Sequence, residues 1–258
     1  MSNSRWPPLD THAHVDVTIT PSDLLALRAV VFAASRSLEE SRQALDRQPS
    51  DLLTVWGLGV HPGLKTALEQ FNLDTFKALL NRTAYVGEVG LDGKVKSRLN
   101  LQRAVLKGIL TELQASARIT SLHSYGATNE LVELLESTPI EGAVLHWWLG
   151  DVAATKKAVE LGAYFSINAA NLKNRVALDQ VPLDRILTET DHPDGDRWSA
   201  QPRQPGNVTK VESELAGRYG ITAADLRRTC WKNLRALTES TRTQELLPPR
   251  VRAILLAS

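Results

Sequence analysis

Residues 9–14 read Leu-Asp-Thr-His-Ala-His, a short run that starts apolar and ends in polar side chains. Further runs rich in apolar and β-branched residues follow, and longer amphipathic segments separate them. This alternation is typical of strands joined by helices, and it predicts a parallel sheet. The predicted strands are Leu9–His14, Ala29–Ser35, Leu53–His61, Ala84–Leu91, Ile119–Ser124, Ala143–Trp148, Ala163–Asn168 and Arg185–Asp191.

The segments between the predicted strands have the periodicity of helices. In one of them, residues 101–117, the side chains of Leu101, Val105, Ile109 and Leu113 recur every four positions and define one helix face. Eight strands, each followed by a helix or loop, fit a single (β/α)8 TIM barrel better than an open sheet. The other predicted helices are Asn129–Glu136, Asp151–Glu160, Val208–Tyr219 and Ala223–Leu237.

The chain of 258 residues has the length of one α/β barrel, which uses about 200–250 residues. We therefore expect residues 1–258 to form a single α/β domain with additional helices at its C-terminal end. The tail, about residues 243–258, contains two prolines and an apolar stretch, Leu246–Leu256. We interpret this tail either as a last helix docked on the barrel or as a segment that binds a protein partner.

Composition excludes several classes of protein. A hydrophobic content of 43% and a charged content of 23% exclude disorder of the whole chain. No stretch has the roughly 18 apolar residues of a membrane span, and the N-terminus has no signal-peptide core, so a cytoplasmic protein without membrane contact is expected. A single cysteine, Cys230, excludes an internal disulfide and a cysteine-built zinc cluster.

The net charge of +1 lacks the basic excess of a protein that coats nucleic acid. A polyanionic substrate would therefore have to be held locally, for example by metal ions.

Histidines and carboxylates lie at the predicted strand ends. His12 and His14 are two residues apart, so in a strand they point to the same side and can bind one metal ion. His61, His123 and His146 end strands three, five and six. Because active sites of such barrels assemble at the C-terminal rim, this pattern predicts a site for a divalent ion.

Two carboxylates belong to the same pattern. Glu88 lies inside the apolar run Ala-Tyr-Val-Gly-Glu-Val-Gly-Leu, residues 84–91, where burial without a partner would be costly. A metal ion or a buried arginine would offset that cost, and a carboxylate can also bridge two ions. Asp191 ends the last predicted strand, where it can complete a metal site and hold or deprotonate an attacking water.

Six motifs occur in a fixed order over nearly the whole chain, and this ordered set resembles the TatD family of metal-dependent deoxyribonucleases in the amidohydrolase superfamily. The motifs are Asp-Thr-His-Ala-His-Val-Asp at 10–16, Gly-Val-His-Pro at 59–62, Gly-Glu-Val-Gly-Leu-Asp at 87–92, His123, His146 and Thr-Glu-Thr-Asp at 188–191. The variants at residues 91–93, 145–147 and 188–191 are most similar to the TatD-like component of Qat-type anti-phage systems.

The resemblance implies hydrolysis of phosphodiester bonds with two divalent ions of magnesium, manganese or zinc. The substrate it implies is DNA, cut by a 3'-5' exonuclease from single-stranded or frayed ends, and a defence complex supplies possible protein partners. The implied ligands are His12, His14, Glu88 and Asp191 for one ion, and Glu88, His123 and His146 for the other. Asp191, Glu88 and His61 are the implied catalytic residues, and His61 would face the scissile phosphate.

The sequence departs from the family pattern at two places. Tyr125 stands where the family often has an arginine, and Trp147-Trp148-Leu149-Gly150 stands where it commonly has Cys-Phe-Ser-Gly. The first change removes a phosphate donor, and the second adds aromatic surface on which unpaired bases can stack. With His61, the residues Tyr125, Trp147 and Trp148 are thus the candidate substrate contacts.

Two other functions fit parts of the same pattern. One is a small-molecule amidohydrolase or lactonase, although many such relatives bridge their metals with a carboxylated lysine where this chain has Glu88. The other is a non-catalytic subunit that binds nucleic acid or a partner complex. Glu88 in the bridging place favours the nuclease over the first alternative, and retention of every expected ligand favours it over the second.

Overall fold

The computed structural model describes residues 6–47 and 51–257. Within them, all paired strands run parallel, in the orders β1-β2-β3 and β4-β5-β6-β7-β8. The strands are β1 Leu9–Ala13, β2 Val30–Ala33, β3 Thr54–Trp56, β4 Tyr85–Gly90, β5 Ile119–His123, β6 Ala143–His146, β7 Tyr164–Ile167 and β8 Ile186–Thr188.

The two groups of strands meet along two seams and close a barrel. Between β3 and β4, Leu58 pairs with Val86 in parallel register. Between β8 and β1, the hydroxyl of Thr188 donates to the Leu9 carbonyl at 2.6 Å. Just beyond β8, the backbone N–H of Asp191 donates to a β1 carbonyl at 2.8 Å. The expected TIM-barrel architecture is confirmed.

Helices connect the strands and cover the barrel. They are α1 Pro21–Ala26, α2 Leu38–Arg47, α3 Lys65–Glu69, α4 Leu73–Leu80, α5 Leu99–Ala115, α6 Thr128–Ser137, α7 Val152–Glu160, α8 Arg175–Leu178, α9 Thr209–Tyr219, α10 Ala223–Ser240 and α11 Pro249–Leu256. Several begin with a side-chain cap that satisfies a free backbone N–H, as Asp151 does for α7 and Thr222 for α10. Among the described residues, no helix is long and apolar enough to cross a membrane.

Two sequence-based strand boundaries and one helix-face assignment are corrected. Strand β3 ends at Trp56 and β8 ends at Thr188, so His61 and Asp191 lie on the loops that follow these strands. Beyond β3, Gly59 packs against the segment that follows β2, so closely that a Cβ there would overlap the Ser35 carbonyl oxygen. On α5, Leu101 is 37% exposed, so it does not belong to the buried face of that helix.

The C-terminal tail packs on the barrel domain. Helix α11 contacts α10, and the side chains of Val251 and Leu255 on α11 are fully buried. The tail is therefore docked through Val251 and Leu255, whereas Leu256 is 57% exposed. Residues 1–5, 48–50 and 258, which the single-domain prediction included, lie outside the described residues.

A buried carboxylate joins β1 to the segments that follow β8. One oxygen of Asp10 accepts from the Thr190 N–H at 2.8 Å. The other accepts from the Thr190 hydroxyl at 2.6 Å and from the Gly206 N–H at 2.7 Å. Burial raises the pKa of Asp10 to about 7, against the effect of these hydrogen bonds. Asp10 thereby fixes the loops at the C-terminal ends of two strands next to His12.

We expect Asp10→Asn to lower the free energy of unfolding by about 1–3 kcal/mol, because an amide NH2 would face the buried Gly206 N–H and leave a donor unpaired. Urea denaturation measures the change. The matched control is Asp184→Asn on an exposed turn, which should change stability by less than about 0.5 kcal/mol. Equal stability of Asp10→Asn and the wild type would contradict the structural role of Asp10.

Candidate metal centre

Glu88 lies at the centre of a cluster of imidazoles at the C-terminal mouth of the barrel. Its Oε1 is 2.5 Å from His123 Nδ1 and 2.9 Å from His146 Nε2. Its Oε2 is 3.2 Å from His14 Nε2 and 3.3 Å from His61 Nε2. The carboxylate is only 1% exposed. Side chains from β4, β5 and β6 and from the loops after β1 and β3 thus converge on one acidic group.

A second carboxylate faces the same cluster from the other side. Asp191 Oδ1 is 3.7 Å from His12 Nε2 and 3.9 Å from His14 Nε2. His12 Nε2 is also 3.9 Å from Glu88 Oε2. The six predicted metal ligands are therefore brought together around Glu88 and Asp191.

Among the described residues, four sets of three side chains have ligand atoms close enough together to hold one ion. Two of them are the sets that the sequence predicts, namely His12, His14 and Asp191, and Glu88, His123 and His146. The other two place an additional residue in reach, and they are His14, His61 and Glu88, and His12, His146 and Glu189. The geometry thus allows ligation by the predicted residues and adds His61 and Glu189 as further ligand candidates.

Buried polar atoms in the cluster lack hydrogen bonds. Among the described residues, His12 Nε2 and Glu88 Oε2 have no hydrogen-bond partner. An unsatisfied buried polar atom costs about 1–3 kcal/mol, and more if the group is charged. A coordinated cation would satisfy both atoms, and the nitrogen and oxygen donors suit zinc, manganese or a related divalent ion. The residues therefore fit a metal centre.

Outer hydrogen bonds orient the imidazoles. His12 Nδ1 hydrogen-bonds with the Ser121 hydroxyl at 2.7 Å and lies 3.2 Å from the Tyr85 hydroxyl, which leaves Nε2 directed at the cluster. His14 Nδ1 lies 3.3 Å from the Ala34 carbonyl oxygen. Such partners fix the orientation of a histidine ligand and thereby support metal binding.

Sequence reasoning gave no role to Glu189, which is fully buried beside His146. Its Oε1 accepts from the Trp147 N–H and from the Asn168 amide, both at 3.0 Å, and lies 3.7 Å from His146 Nδ1. The signal was present in the sequence, because Glu189 sits next to the apolar β8 run just as Glu88 sits within the apolar β4 run.

Burial and neighbouring side chains shift the pKa values of groups within the cluster. Burial opposes ionisation of Glu88, but the imidazoles of His61, His123 and His146 hold the pKa of Glu88 well below its usual range. For His12, burial together with the neighbouring His146 keeps the pKa well below its usual value. These directions favour the carboxylate form of Glu88 and the neutral imidazole form of His12, which are the forms that bind metal.

A cavity of about 280 Å³ opens above the cluster, and the predicted substrate contacts His61, Tyr125 and Trp147 line it. The prediction that Trp148 contacts substrate is wrong, because its ring is fully buried. The ring makes an edge-to-face contact with Phe165, and its indole N–H donates to the Thr155 hydroxyl. The reason is that β6 ends at His146 and the backbone turns at Trp147, so the second tryptophan packs inside.

Comparison with known proteins places the chain in a family. Residues 9–239 match the sequence profile described as "TatD related DNase". The chain belongs to the TatD family. The family resemblance that the ordered motifs indicate is thereby confirmed.

Among TatD relatives, the human deoxyribonuclease TATDN3 is 26% identical, over 84% of this chain and 89% of its own length. The 3'-5' ssDNA/RNA exonuclease TatD of Klebsiella pneumoniae is 28% identical, over 61% of this chain and 64% of its own. The crystal structure of the Escherichia coli TatD homologue YJJV superposes with a TM-score of 0.78 at 23% identity, and it covers 91% of this chain and 98% of that one.

We expect Glu88→Gln to lower metal loading at both positions, because its two oxygens face both candidate ligand sets. His12→Ala should mainly deplete one position, since His12 belongs with His14 and Asp191. Metal analysis after equilibration with manganese or zinc and removal of free ion measures the loading. Equal loading of the wild type and Glu88→Gln would contradict a shared ligand role for Glu88.

Proposed function

We propose that this TatD-family protein hydrolyses phosphodiester bonds of DNA from the 3' end of single-stranded or frayed strands, with two divalent ions. The observation that carries the proposal is the cluster around Glu88, in which five imidazoles and two carboxylates converge beneath an open cavity. The names of the human and Klebsiella relatives support DNA as the substrate, and the latter name supports 3'-5' polarity.

The proposed ligands are His12, His14, Glu88 and Asp191 for one ion, and Glu88, His123 and His146 for the other. Bound ions would polarise the phosphoryl oxygens, lower the pKa of the attacking water and stabilise the leaving oxygen. Glu88 keeps the two ligand sets together through its two oxygens. Asp191, at the cavity wall, positions the attacking water and accepts its proton.

His61 is proposed to act on the scissile phosphate. It lies on the loop after β3, is half-buried, and lines the cavity with its Nε2 turned toward Glu88. Its Nδ1 accepts a hydrogen bond from the Gly63 N–H at 3.0 Å, which fixes the ring. From this position the imidazole can stabilise or protonate an oxygen of the phosphate.

The proposed preference for single strands rests on the aromatic side chain of Trp147 in the cavity wall. Trp147 is half-buried and exposes part of its ring to the cavity beside His146. A cavity with an aromatic wall offers a stacking surface to an unpaired base at a strand end.

A role in anti-phage defence and a cytoplasmic location stay predictions, and the defence role rests on the motif variants at residues 91–93, 145–147 and 188–191. Protein partners also stay a prediction, since Val251 and Leu255 dock α11 while Leu256 on the same helix is 57% exposed.

The activity is tested with purified protein on single-stranded DNA, duplex DNA, RNA and a small lactone, each with magnesium, manganese or zinc. We expect metal-dependent release of nucleotides from the 3' end of single-stranded DNA and no turnover of the lactone. Turnover of the lactone alone would favour the amidohydrolase alternative, and metal-dependent binding of DNA without cleavage would favour the non-catalytic one.

We expect His61→Ala to bind metal nearly as the wild type does but to lose about 10²–10⁴-fold in turnover, the usual contribution of general acid–base catalysis. Metal analysis and single-stranded DNA cleavage are measured on the same preparation. Loss of bound metal in this variant would instead make His61 a ligand, as its distance to Glu88 also allows.

We expect Trp147→Ala to raise the KM for single-stranded DNA about ten- to hundredfold, because stacking on an aromatic ring is worth about 1–3 kcal/mol per base. Trp147→Phe keeps a ring at the cavity wall and should lose much less. Initial rates on single-stranded and duplex substrates give the KM values. Equal rates on both substrates, unchanged by either replacement, would return Trp147 to a packing role.

A further inference from the structure

Two cationic side chains, Lys94 and Arg197, line the cavity above the Glu88 cluster. Arg197 is already engaged, because its Nε donates to the Asp194 carbonyl at 2.8 Å and its guanidinium pairs with the Asp194 carboxylate at 3.3 Å. Within residues 6–47 and 51–257, the ammonium group of Lys94 has neither an ion pair nor a hydrogen bond. No carboxylate of the described residues is therefore paired with the Lys94 ammonium when a polyanion enters the cavity.

The Lys94 ammonium is held against an aromatic ring. Its Nζ lies 4.2 Å from the centroid of the Tyr125 ring, within the range of a cation–π contact. Tyr125 is 42% exposed, so the pair lies on the rim of the cavity, whereas Glu88 is buried at its floor. The ring restricts the rotamers of a long side chain and so reduces the entropy lost when that side chain binds an anion.

The backbone holds this pair in place. The N–H of Gly93 donates to the Tyr125 carbonyl at 2.7 Å, which ties the loop after β4 to the loop after β5. The two loops touch so closely that a Cβ at Gly93 would overlap the carbonyl of Gly126. The Lys94 N–H donates to the Asp92 carboxylate at 2.9 Å. Lys94 and Tyr125 are thus presented by two loops locked together at the cavity mouth.

We propose that Lys94, supported by the ring of Tyr125, binds a backbone phosphate of the substrate strand next to the scissile phosphate. This rests on the proposed function, in which the scissile phosphate lies over Glu88 at the cavity floor. Lys94 lies on the rim, so it reaches the neighbouring linkage rather than the one being cut. The ligand is a phosphodiester oxygen, so the contact is independent of base sequence.

The test compares Lys94→Met with the matched control Lys96→Met, which removes the same charge from an exposed position of the same loop outside the cavity. The substrate is a short single-stranded oligodeoxynucleotide, used either unmodified or with one neutral methylphosphonate linkage placed in turn at each position near the 3' end. Cleavage rates at several salt concentrations give KM, kcat and the salt dependence.

We expect Lys94→Met to lower kcat/KM on the unmodified strand about tenfold, mainly through KM, the effect of one charge-assisted hydrogen bond at an exposed site. The slope of log kcat/KM against log salt should become shallower by about 0.7, as for one lost phosphate contact on a single strand. Lys96→Met should match the wild type. A methylphosphonate at the linkage next to the scissile one should impair the wild type to the same extent and impair Lys94→Met no further.

Two further variants test whether the ring of Tyr125 supports Lys94. Tyr125→Phe keeps the ring and should retain the wild-type salt slope, whereas Tyr125→Leu should make the slope shallower, part of the way toward that of Lys94→Met. Thermal unfolding of each variant shows whether the loop is intact, and a defect in unfolding without the change in salt slope would count against the proposal.

Failure of the inference is distinguishable from failure of the proposed function. If the wild type cleaves the strand and Lys94→Met cleaves it equally well, the inference is overturned and the nuclease activity stands. If the wild type cleaves nothing with any metal, the proposed function is overturned. The phosphate contact of Lys94 is then tested by binding of a fluorescein-labelled oligothymidylate in EDTA. About tenfold weaker binding by Lys94→Met than by Lys96→Met supports the contact, and equal dissociation constants of the two variants overturn it.

Discussion

The buried carboxylate of Glu88 imposes a requirement on everything around it. In a low-dielectric interior an isolated carboxylate takes up a proton rather than staying charged, because desolvation of the anion is too costly. Here the ring nitrogens of His14, His61, His123 and His146 lie within 3.3 Å of its two oxygens. Those imidazoles come from separate strands and loops between β1 and β6, so these six strands must be assembled before the charge of Glu88 is compensated.

Core packing and the site are linked through Tyr85. Its ring occupies space left by two glycines, since a Cβ at Gly57 would lie 2.7 Å from its Cδ1 and one at Gly87 would lie 2.5 Å from its Cζ. The hydroxyl at the tip of the same ring lies 3.2 Å from His12 Nδ1. A fully buried aromatic side chain thus fills the barrel and also carries a polar contact to a candidate ligand, so a change in core volume there would be transmitted to the site.

The sequence was sufficient for the barrel and for the convergence of the histidines, because an apolar run that ends in histidine points its polar end to the rim. Local alternation failed at Trp148, since β6 ends at His146 and the backbone of Trp147 adopts a left-handed conformation with φ of 39°. Contacts between loops also could not be predicted from the alternation of apolar and polar residues. The stacking of Lys94 on Tyr125 depends on two glycine-containing loops from different strands, and no periodicity in either segment indicates that they touch.

The seam between β8 and β1 has a consequence for the newly made chain. During translation His12 and His14 emerge early, while Asp191, whose N–H bonds to the His12 carbonyl, emerges after most of the chain has been made. Until β8 pairs with β1, the early imidazoles lack this carboxylate and can bind an ion only weakly. The ligand set of His12, His14 and Asp191 in the proposed centre is therefore completed late in biogenesis, and an ion held by this set would report that β8 has joined β1.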